Sequence, residues 1–186
     1  MRVIAGDLKG RKISTVEGVN TRPTTDQIKE NMFNMMGQFF TGGCVLDLFA
    51  GSGSLGIEAL SRGLDHAVFI DINYDAINII KENISNLKLN DQAEVYRNDA
   101  FKALKILAKK GLKFDLIFLD PPYGKFDITE LLDKIAKNDL LNDDGLIICE
   151  YGAGVNVQYN ESTLKLIRRE VYSAAEILIL RKEVAM

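Results

Sequence analysis

A carboxylate, two prolines and an aromatic residue directly follow an apolar stretch of strand length in the segment Phe114 to Tyr123. Pro121 and Pro122 have no backbone N–H and a fixed φ, so the chain must leave a sheet there. The carboxylate of Asp120 and a nearby backbone carbonyl both accept hydrogen bonds, so together they could hold the two hydrogens of an exocyclic base amine. Tyr123 could stack on the ring that carries this amine. A strand that ends in a Pro-Pro turn with a surface tyrosine explains the same four residues, and only their context can decide.

A second candidate site is the glycine-rich turn Gly51–Gly56, which follows a strand-like run and opens a predicted helix. Glycines there let backbone N–H groups and the helix N-terminus approach a ligand closely. Asp71 ends the next predicted strand, where an acid bonds ribose hydroxyls. Both NAD and S-adenosylmethionine fit this pattern, but Asp47 is an anion suited to the sulfonium and ammonium groups of S-adenosylmethionine. The alternative for Asp47 is a buried carboxylate bonded to backbone amides.

A third polar position is Asp99, at the end of the strand-like run that begins at Ala93. Polar residues at the carboxyl ends of strands lie where open α/β sheets bind ligands. We assign Asp99 to the adenine edge of the ligand, and a role as the N-cap of the following helix is compatible with this.

Strand-like and helix-like segments alternate along the sequence, which predicts an α/β fold. Helices are predicted after Thr24 and at residues 54–63, 73–90, 100–110 and 127–138. Strands are predicted from residue 43 into the glycine turn and at residues 66–70, 93–99, 114–120, 145–152, 164–172 and 176–184. The last two are separated by Ser173 to Ala175, which is too short for a helical crossover, so they are predicted to pair as an antiparallel hairpin.

The first 16 residues predict a hairpin of two short strands joined at Asp7 to Gly10. Residues 1–25 carry a net charge of +3, whereas the rest of the chain carries −6. A basic hairpin could lie against phosphates, although a solvated basic ribbon is equally compatible. Arg22 and Lys29, near the entrance of the first helix, could also meet a phosphate.

The composition, 186 residues with 47% hydrophobic and 26% charged side chains, is that of one soluble globular domain. No apolar run approaches the ~20 residues of a membrane span, and the N-terminus lacks a signal-peptide core, so a cytoplasmic protein is expected. Cys44 and Cys149 lie in apolar runs, and His66 is the single histidine. We therefore expect buried thiols, a structural histidine and no metal site.

The segment Asp120 to Tyr123 resembles the Asp/Asn-Pro-Pro-Phe/Tyr motif of amino-methyltransferases. Four blocks, RVIAGDLKGRKI, TRPTTDQIKENMFN, LDLFAGSGSLGIEALSRG and LDPPYG, occur in this order in a chain of this size and are similar to the bacterial RsmD family. The resemblance spans essentially the whole chain. One departure is at Tyr172, which the family usually follows with glycine and which Ser173 follows here.

This resemblance implies a 16S rRNA (guanine-N2)-methyltransferase that uses S-adenosylmethionine and acts on a small-subunit particle. The sequence itself does not indicate an oligomeric state, and we take a monomer as the default expectation. The implied fold is a Rossmann-like, seven-stranded class I methyltransferase sheet with an antiparallel last strand, in residues 21–186, preceded by a basic hairpin in residues 1–20. The implied catalytic residues are Asp120, Pro121, Pro122 and Tyr123. The implied donor-binding residues are Asp47, Phe49, Gly51, Gly53, Asp71, Ile72, Asp99 and Ala100. The implied RNA-binding residues are Lys9, Arg11, Lys12, Arg22, Thr24 and Lys125.

Other classes of protein share parts of this pattern. A DNA or RNA adenine-N6 methyltransferase also uses Asp-Pro-Pro-Tyr, but this chain lacks room for a sizeable separate target-recognition domain. An NAD-dependent oxidoreductase is disfavoured by Asp47 and by the lack of an obvious proton donor. A non-catalytic RNA-binding assembly factor would keep the fold without needing both sets of residues intact.

Overall fold

The computed structural model describes residues 1–16 and 26–183, in which five α-helices and seven strands alternate along most of the chain. The helices are α1 (Asp26–Met36), α2 (Ser54–Ser61), α3 (Tyr74–Leu87), α4 (Ala100–Lys109) and α5 (Ile128–Lys137). The strands are β1 (Cys44–Asp47), β2 (His66–Asp71), β3 (Ala93–Arg97), β4 (Phe114–Leu119), β5 (Leu141–Gly152), β6 (Leu164–Val171) and β7 (Ala175–Lys182). The chain divides into two compact units, residues 1–100 and 101–186.

In the first unit three parallel strands lie in the order β3, β2, β1. The middle strand is buried along most of its length, as expected for a parallel strand covered on both faces. The helix α3 buries the apolar face that its spacing predicts, including Ile77, Ile80 and Ile84. Gly56 allows α2 to pack directly on β2, because a Cβ at this position would lie 2.3 Å from a ring carbon of Phe69.

In the second unit the strands lie in the order β4, β5, β7, β6. β4 and β5 are parallel, whereas β7 is antiparallel to both β5 and β6. The predicted C-terminal hairpin is therefore confirmed. Its turn is closed by the Tyr172 N–H, which donates to the Ala175 carbonyl at 2.8 Å. Neither Ser173 nor Ala174 has a positive φ, so this turn does not require a glycine.

The N-terminal segment, residues 1–16, reverses direction but forms a single antiparallel bridge, between Arg2 and Lys12, instead of two strands. Further backbone bonds join its two arms, and Val3 and Ile13 are buried. The backbone N–H groups of Ile4 and Ala5 donate to a side chain of α2 instead of pairing within the segment, which explains why regular strands do not form. The boundary predicted at residue 20 lies outside the described residues and stays a prediction.

A buried ionic cluster of Lys29, Glu58 and Arg62 joins α1 and α2. The Lys29 ammonium lies 3.2 Å from Glu58 and the Arg62 guanidinium 2.8 Å from it, and both Lys29 and Glu58 are 0% exposed. The expectation that Lys29 meets a phosphate is therefore wrong, because its helical position faces inward. Burial lowers the pKa of Lys29, although the charge of Glu58 opposes this effect.

Within the described residues, no helix combines the length and the apolar character that a membrane span requires.

Candidate active site

The glycine turn connects β1 to α2 and is held in place by Asp71. Gly51 and Gly53 have φ values of 55° and 80°, which glycine adopts at little cost. The Gly51 N–H donates to Oδ2 of Asp71 at 2.8 Å, and the Asn73 N–H donates to Oδ1 at 2.8 Å. Because a carboxylate has about four lone-pair sites, Asp71 can hold the turn and still accept hydrogen bonds from a ligand hydroxyl.

Asp47 is buried beneath this turn, with 2% of its surface exposed. Its Oδ2 accepts a hydrogen bond of 3.1 Å from the Gly56 N–H, so the backbone-bonded carboxylate considered from the sequence is present in the structure. Burial raises the pKa of Asp47 to about 7, the Gly56 bond opposes the rise, and the charge of Asp71 adds to it. A cation beside Asp47 would favour its ionised form.

The other predicted donor-binding residues lie around the same end of the strands. Phe49 is half-buried between β1 and the glycine turn. Ile72 directly follows Asp71 and is 63% exposed. Asp99 is half-buried and its N–H donates to the Asn98 side chain at 2.9 Å, and Ala100 is the buried first residue of α4. The structure thus brings Gly51 and Asp71 into direct contact, and the donor-binding roles of all these residues stay predictions.

In the second unit, the predicted catalytic segment begins directly after β4. Asp120 is half-buried, Pro121 is buried, and Pro122 is exposed. The Lys125 N–H donates to the Pro122 carbonyl at 3.2 Å, and Gly124 has a φ of 71°. A positive φ at the third residue of a turn is typical of a type II turn, which explains the glycine that follows Tyr123.

The side chain of Tyr123 is held by the buried carboxylate of Glu150. Its hydroxyl donates to Oε1 of Glu150 at 3.0 Å, while 45% of the residue remains exposed. A ring fixed at its hydroxyl and open on its surface is suited to stacking on a planar ligand. Glu150 lies near the carboxyl end of β5, so the rule that located Asp71 and Asp99 could have found it.

A cavity of about 310 Å³ opens beside this segment, within the size range of small-molecule sites. It is lined by Pro121, Pro122, Tyr123, Gly124, Lys125, Phe126, Asp127, Ile128, Tyr151, Gly152 and Val155. The Tyr151 hydroxyl donates to Glu176 at 3.3 Å, and burial raises the pKa of Tyr151 to about 12. The sequence pattern did not indicate Tyr151, because an aromatic residue near the end of an apolar strand resembles ordinary core.

The predicted RNA-binding residues of the N-terminal segment, Lys9, Arg11 and Lys12, are all exposed. Arg11 donates to the Asn86 carbonyl at 3.0 Å, and Lys125 is exposed in the turn after the catalytic segment. Arg22 and Thr24 lie outside the described residues, so their assignment stays a prediction.

A further basic surface lies on α4. The net charge of −6 after residue 25 does not indicate it. Residues 100–113 contain five lysines and no acidic residue, and Lys105 and Lys109 are exposed one helical turn apart. Such a surface can contact phosphates.

The cysteines and the histidine lie apart from these features. Cys149 is buried, which raises the pKa of its thiol, and Cys44 is half-buried. The Nε2 of His66 lies 3.0 Å from a Glu94 carboxylate oxygen. Among the residues that the structure describes, no three His, Cys, Asp or Glu side chains are grouped to hold a metal ion.

Similarity to known proteins extends over almost the whole chain. Residues 1–181 match the model of a family described as Conserved hypothetical protein 95. The chain is 47% identical over 182 residues to YlbH of Bacillus subtilis (strain 168), by its name a candidate rRNA methyltransferase, with 98% of this chain and 99% of that protein covered. It is 34% identical over 150 residues to Ribosomal RNA small subunit methyltransferase D of Escherichia coli (strain K12), with 81% of this chain and 74% of that protein covered.

A solved structure also matches along the full length. The candidate methyltransferase yhhF from Escherichia coli has a TM-score of 0.85 and 30% identity, and the match covers 100% of this chain and 99% of that one. Together with the seven strands and the antiparallel last strand, this similarity confirms the Rossmann-like α/β fold predicted from the sequence.

Proposed function

The chain belongs to the RsmD family, and from this membership we propose that it transfers a methyl group from S-adenosylmethionine to the exocyclic N2 amine of a guanine in 16S rRNA within a small-subunit particle. The observation that supports the proposal is that one chain contains two turns whose conformations are each held by a carboxylate. One is a glycine turn held by Asp71, and the other is the Asp-Pro-Pro-Tyr turn whose tyrosine is held by the buried Glu150.

The residues of the first unit fit the methyl donor. S-adenosylmethionine supplies an electrophilic methyl group on a sulfonium centre. Asp71 would accept from the ribose hydroxyls, and Asp47 would face the positive charge of the donor. The exposed side chain of Ile72 and the carboxylate of Asp99 would hold the adenine, on its face and its edge.

The residues of the second unit fit an amine on a planar base. The lone pair of the guanine amine is delocalised into the ring, so the free amine is a poor nucleophile. Hydrogen bonds from its two hydrogens to Asp120 and to the Pro121 carbonyl would turn the lone pair out of conjugation while Tyr123 holds the ring. The N–C bond would form as the C–S bond of the methyl donor breaks, and Asp120 would take up the released proton directly or through water.

The exposed basic residues would hold the RNA backbone. Lys9, Arg11 and Lys12 on the N-terminal segment and Lys125 beside the catalytic segment are all placed in solvent, where phosphates can reach them. Ribosomal proteins bound to the rRNA would complete the recognition in the small-subunit particle.

The affinity for S-adenosylmethionine is expected to rise about tenfold between pH 6 and pH 8. With a pKa of about 7 in the donor-free protein, Asp47 is mostly protonated at the lower pH and mostly ionised at the higher, and only the anion attracts the donor's positive charge. Calorimetric Kd values at three pH values measure this change. The Asp47→Asn variant should bind weakly with a flat profile, and an unchanged slope in that variant would assign the titration to another group.

The same shift acts in the opposite direction on stability. Because the pKa of Asp47 is raised in the folded state, its contribution to the free energy of unfolding of the donor-free protein is present at low pH. That contribution is full below about pH 4, where the aspartate of the unfolded chain is also protonated, and it is lost progressively as the pH rises to about 7, where the buried anion forms.

A transfer assay with a labelled methyl group tests the function. Small-subunit particles from unmodified cells, deproteinised rRNA and duplex DNA are offered side by side, and the products are digested to nucleosides. Label in N2-methylguanosine from the particles supports the proposal, and comparison with bare rRNA shows whether ribosomal proteins are needed. Label in N6-methyladenosine or its deoxy form would overturn the substrate, and donor binding without any label would favour an assembly factor.

A further inference from the structure

Asn83 of α3 is a buried amide that contacts two separate parts of the first unit. It is 1% exposed, and its Nδ2 donates to the Ser52 carbonyl at 2.9 Å, in the middle of the glycine turn. The same Nδ2 donates to the Ser14 carbonyl at 2.9 Å, and Oδ1 accepts from the Ser14 N–H at 2.8 Å. One side chain therefore fastens the N-terminal segment and the glycine turn at once.

Lys29 makes a second connection of the same kind. Its ammonium donates to the Arg2 carbonyl at 2.6 Å and to the Ser54 hydroxyl at 3.0 Å. Arg2 belongs to the N-terminal segment, and Ser54 is the first residue of α2, directly after Gly53. Two residues of the glycine turn that follow Gly51, Ser52 and Ser54, are thus each bonded to a buried side chain that also binds the N-terminal segment.

These connections fix the backbone that meets the donor. The hydrogen bond to the Ser52 carbonyl sets the orientation of the peptide between Ser52 and Gly53, and the Gly53 N–H in turn donates to the Ala50 carbonyl at 2.6 Å. A turn held in its binding conformation loses less entropy when a ligand binds.

We propose that Asn83 is a positioning residue for the methyl donor and that, through it, contact of RNA with the N-terminal segment and occupancy of the glycine turn reinforce each other. This inference rests on the proposed function, because it assumes the donor at the glycine turn and RNA at Lys9, Arg11 and Lys12. By linkage, the factor by which RNA tightens donor binding equals the factor by which the donor tightens RNA binding.

The test compares Asn83→Ala with Ser61→Ala. Ser61 is also buried and also fastens the N-terminal segment, through hydrogen bonds with Ala5 and Leu8, but it does not bond the glycine turn. The calorimetric Kd for S-adenosylhomocysteine is expected to rise about five- to tenfold in Asn83→Ala and to stay unchanged in Ser61→Ala. Asn83→Asp keeps the acceptor for the Ser14 N–H but lacks both N–H groups of Nδ2. Its affinity for S-adenosylhomocysteine should therefore fall as in Asn83→Ala, and it takes the place of Asn83→Ala if that variant does not fold.

A second measurement adds saturating 16S rRNA, deproteinised if the transfer assay labels bare rRNA and otherwise within small-subunit particles from unmodified cells. The rRNA is expected to lower the Kd for S-adenosylhomocysteine in the wild type and in Ser61→Ala but not in Asn83→Ala. Equal donor affinities in the two alanine variants, or an equal effect of rRNA on all three proteins, would overturn the inference. Failure of the proposed function gives a different result, because the wild-type protein would then bind no donor or methylate no RNA.

Discussion

Replacing Asp120 with alanine is expected to lower the rate of methyl transfer by about a thousandfold or more, while the Kd for S-adenosylhomocysteine stays within about twofold of the wild-type value. Alanine removes the acceptor that would orient the guanine amine and take up its proton. All the proposed donor-binding residues, from Asp47 to Ala100, belong to the first unit, whereas Asp120 belongs to the second. Single-turnover rates with small-subunit particles and calorimetry with S-adenosylhomocysteine measure the two quantities separately.

Two further variants show whether this effect is specific to the carboxylate. Asp120→Asn keeps a carbonyl acceptor and should retain measurable activity, since the motif of amino-methyltransferases contains either residue. Asp115→Ala removes a carboxylate from the start of the same strand, where it accepts from Asn142 at 2.9 Å, and should leave the rate nearly unchanged. Loss of donor binding in Asp120→Ala to the same degree as activity would show instead that Asp120 has a structural role.

The glycine turn and its acid could be predicted from the sequence because the local order of strand, glycines, helix, strand and acid determines their geometry. Parallel strands end at the same edge of a sheet, so Asp71 at the end of β2 had to lie near the turn after β1. The structure adds that Asp71 bonds the Gly51 N–H directly. The pattern of residues gives the location of such a site, but it does not say which lone pairs are already occupied by the backbone.

The rule for strand ends could have located Glu150, but its hydrogen bond to Tyr123, 27 residues away along the chain, could not be predicted. Glu150 stands in an apolar run that predicts a buried strand, and nothing in that run indicates that the carboxylate bonds a tyrosine hydroxyl. The register of β4 and β5 pairs Leu119 with Cys149, which places Glu150 beside the end of β4, where the segment that carries Tyr123 begins. Register is a property of the folded sheet, so contacts of this kind appear only in the structure.

The prediction for Lys29 is wrong in the opposite way, because a residue that was expected at the surface is buried. Its charge and its position near the start of α1 suggested a phosphate contact, whereas the helix directs it towards Glu58 and the N-terminal segment. No local pattern indicates this burial, because a helix with one lysine near its apolar face is ordinarily explained by a long side chain that reaches solvent. Glu58 also accepts from the N–H groups of Ile4 and Ala5, and these bonds explain why a single bridge replaces the two predicted N-terminal strands.

Replacing Glu58 with alanine is expected to lower the free energy of unfolding by about 3–5 kcal/mol. The carboxylate is 0% exposed and accepts four hydrogen bonds or ionic contacts, from the N–H groups of Ile4 and Ala5 and from the charged groups of Lys29 and Arg62. Alanine leaves two buried cations and two backbone donors without this partner, and a buried unpaired charge costs more than the pair contributes. Urea unfolding followed by circular dichroism measures the change.

An exposed pair of the same chemistry provides the control. Glu130 and Lys134 lie 3.4 Å apart on α5 and are partly solvated, so Glu130→Ala should change the free energy of unfolding by no more than about 0.5 kcal/mol. Lys29→Met combined with Glu58→Gln removes the two opposite charges together and should be less destabilising than the sum of the single changes. If Glu58→Ala costs no more than Glu130→Ala, the buried cluster does not hold the N-terminal segment in place, and the remaining bonds to Asn83 and Ser61 must do so.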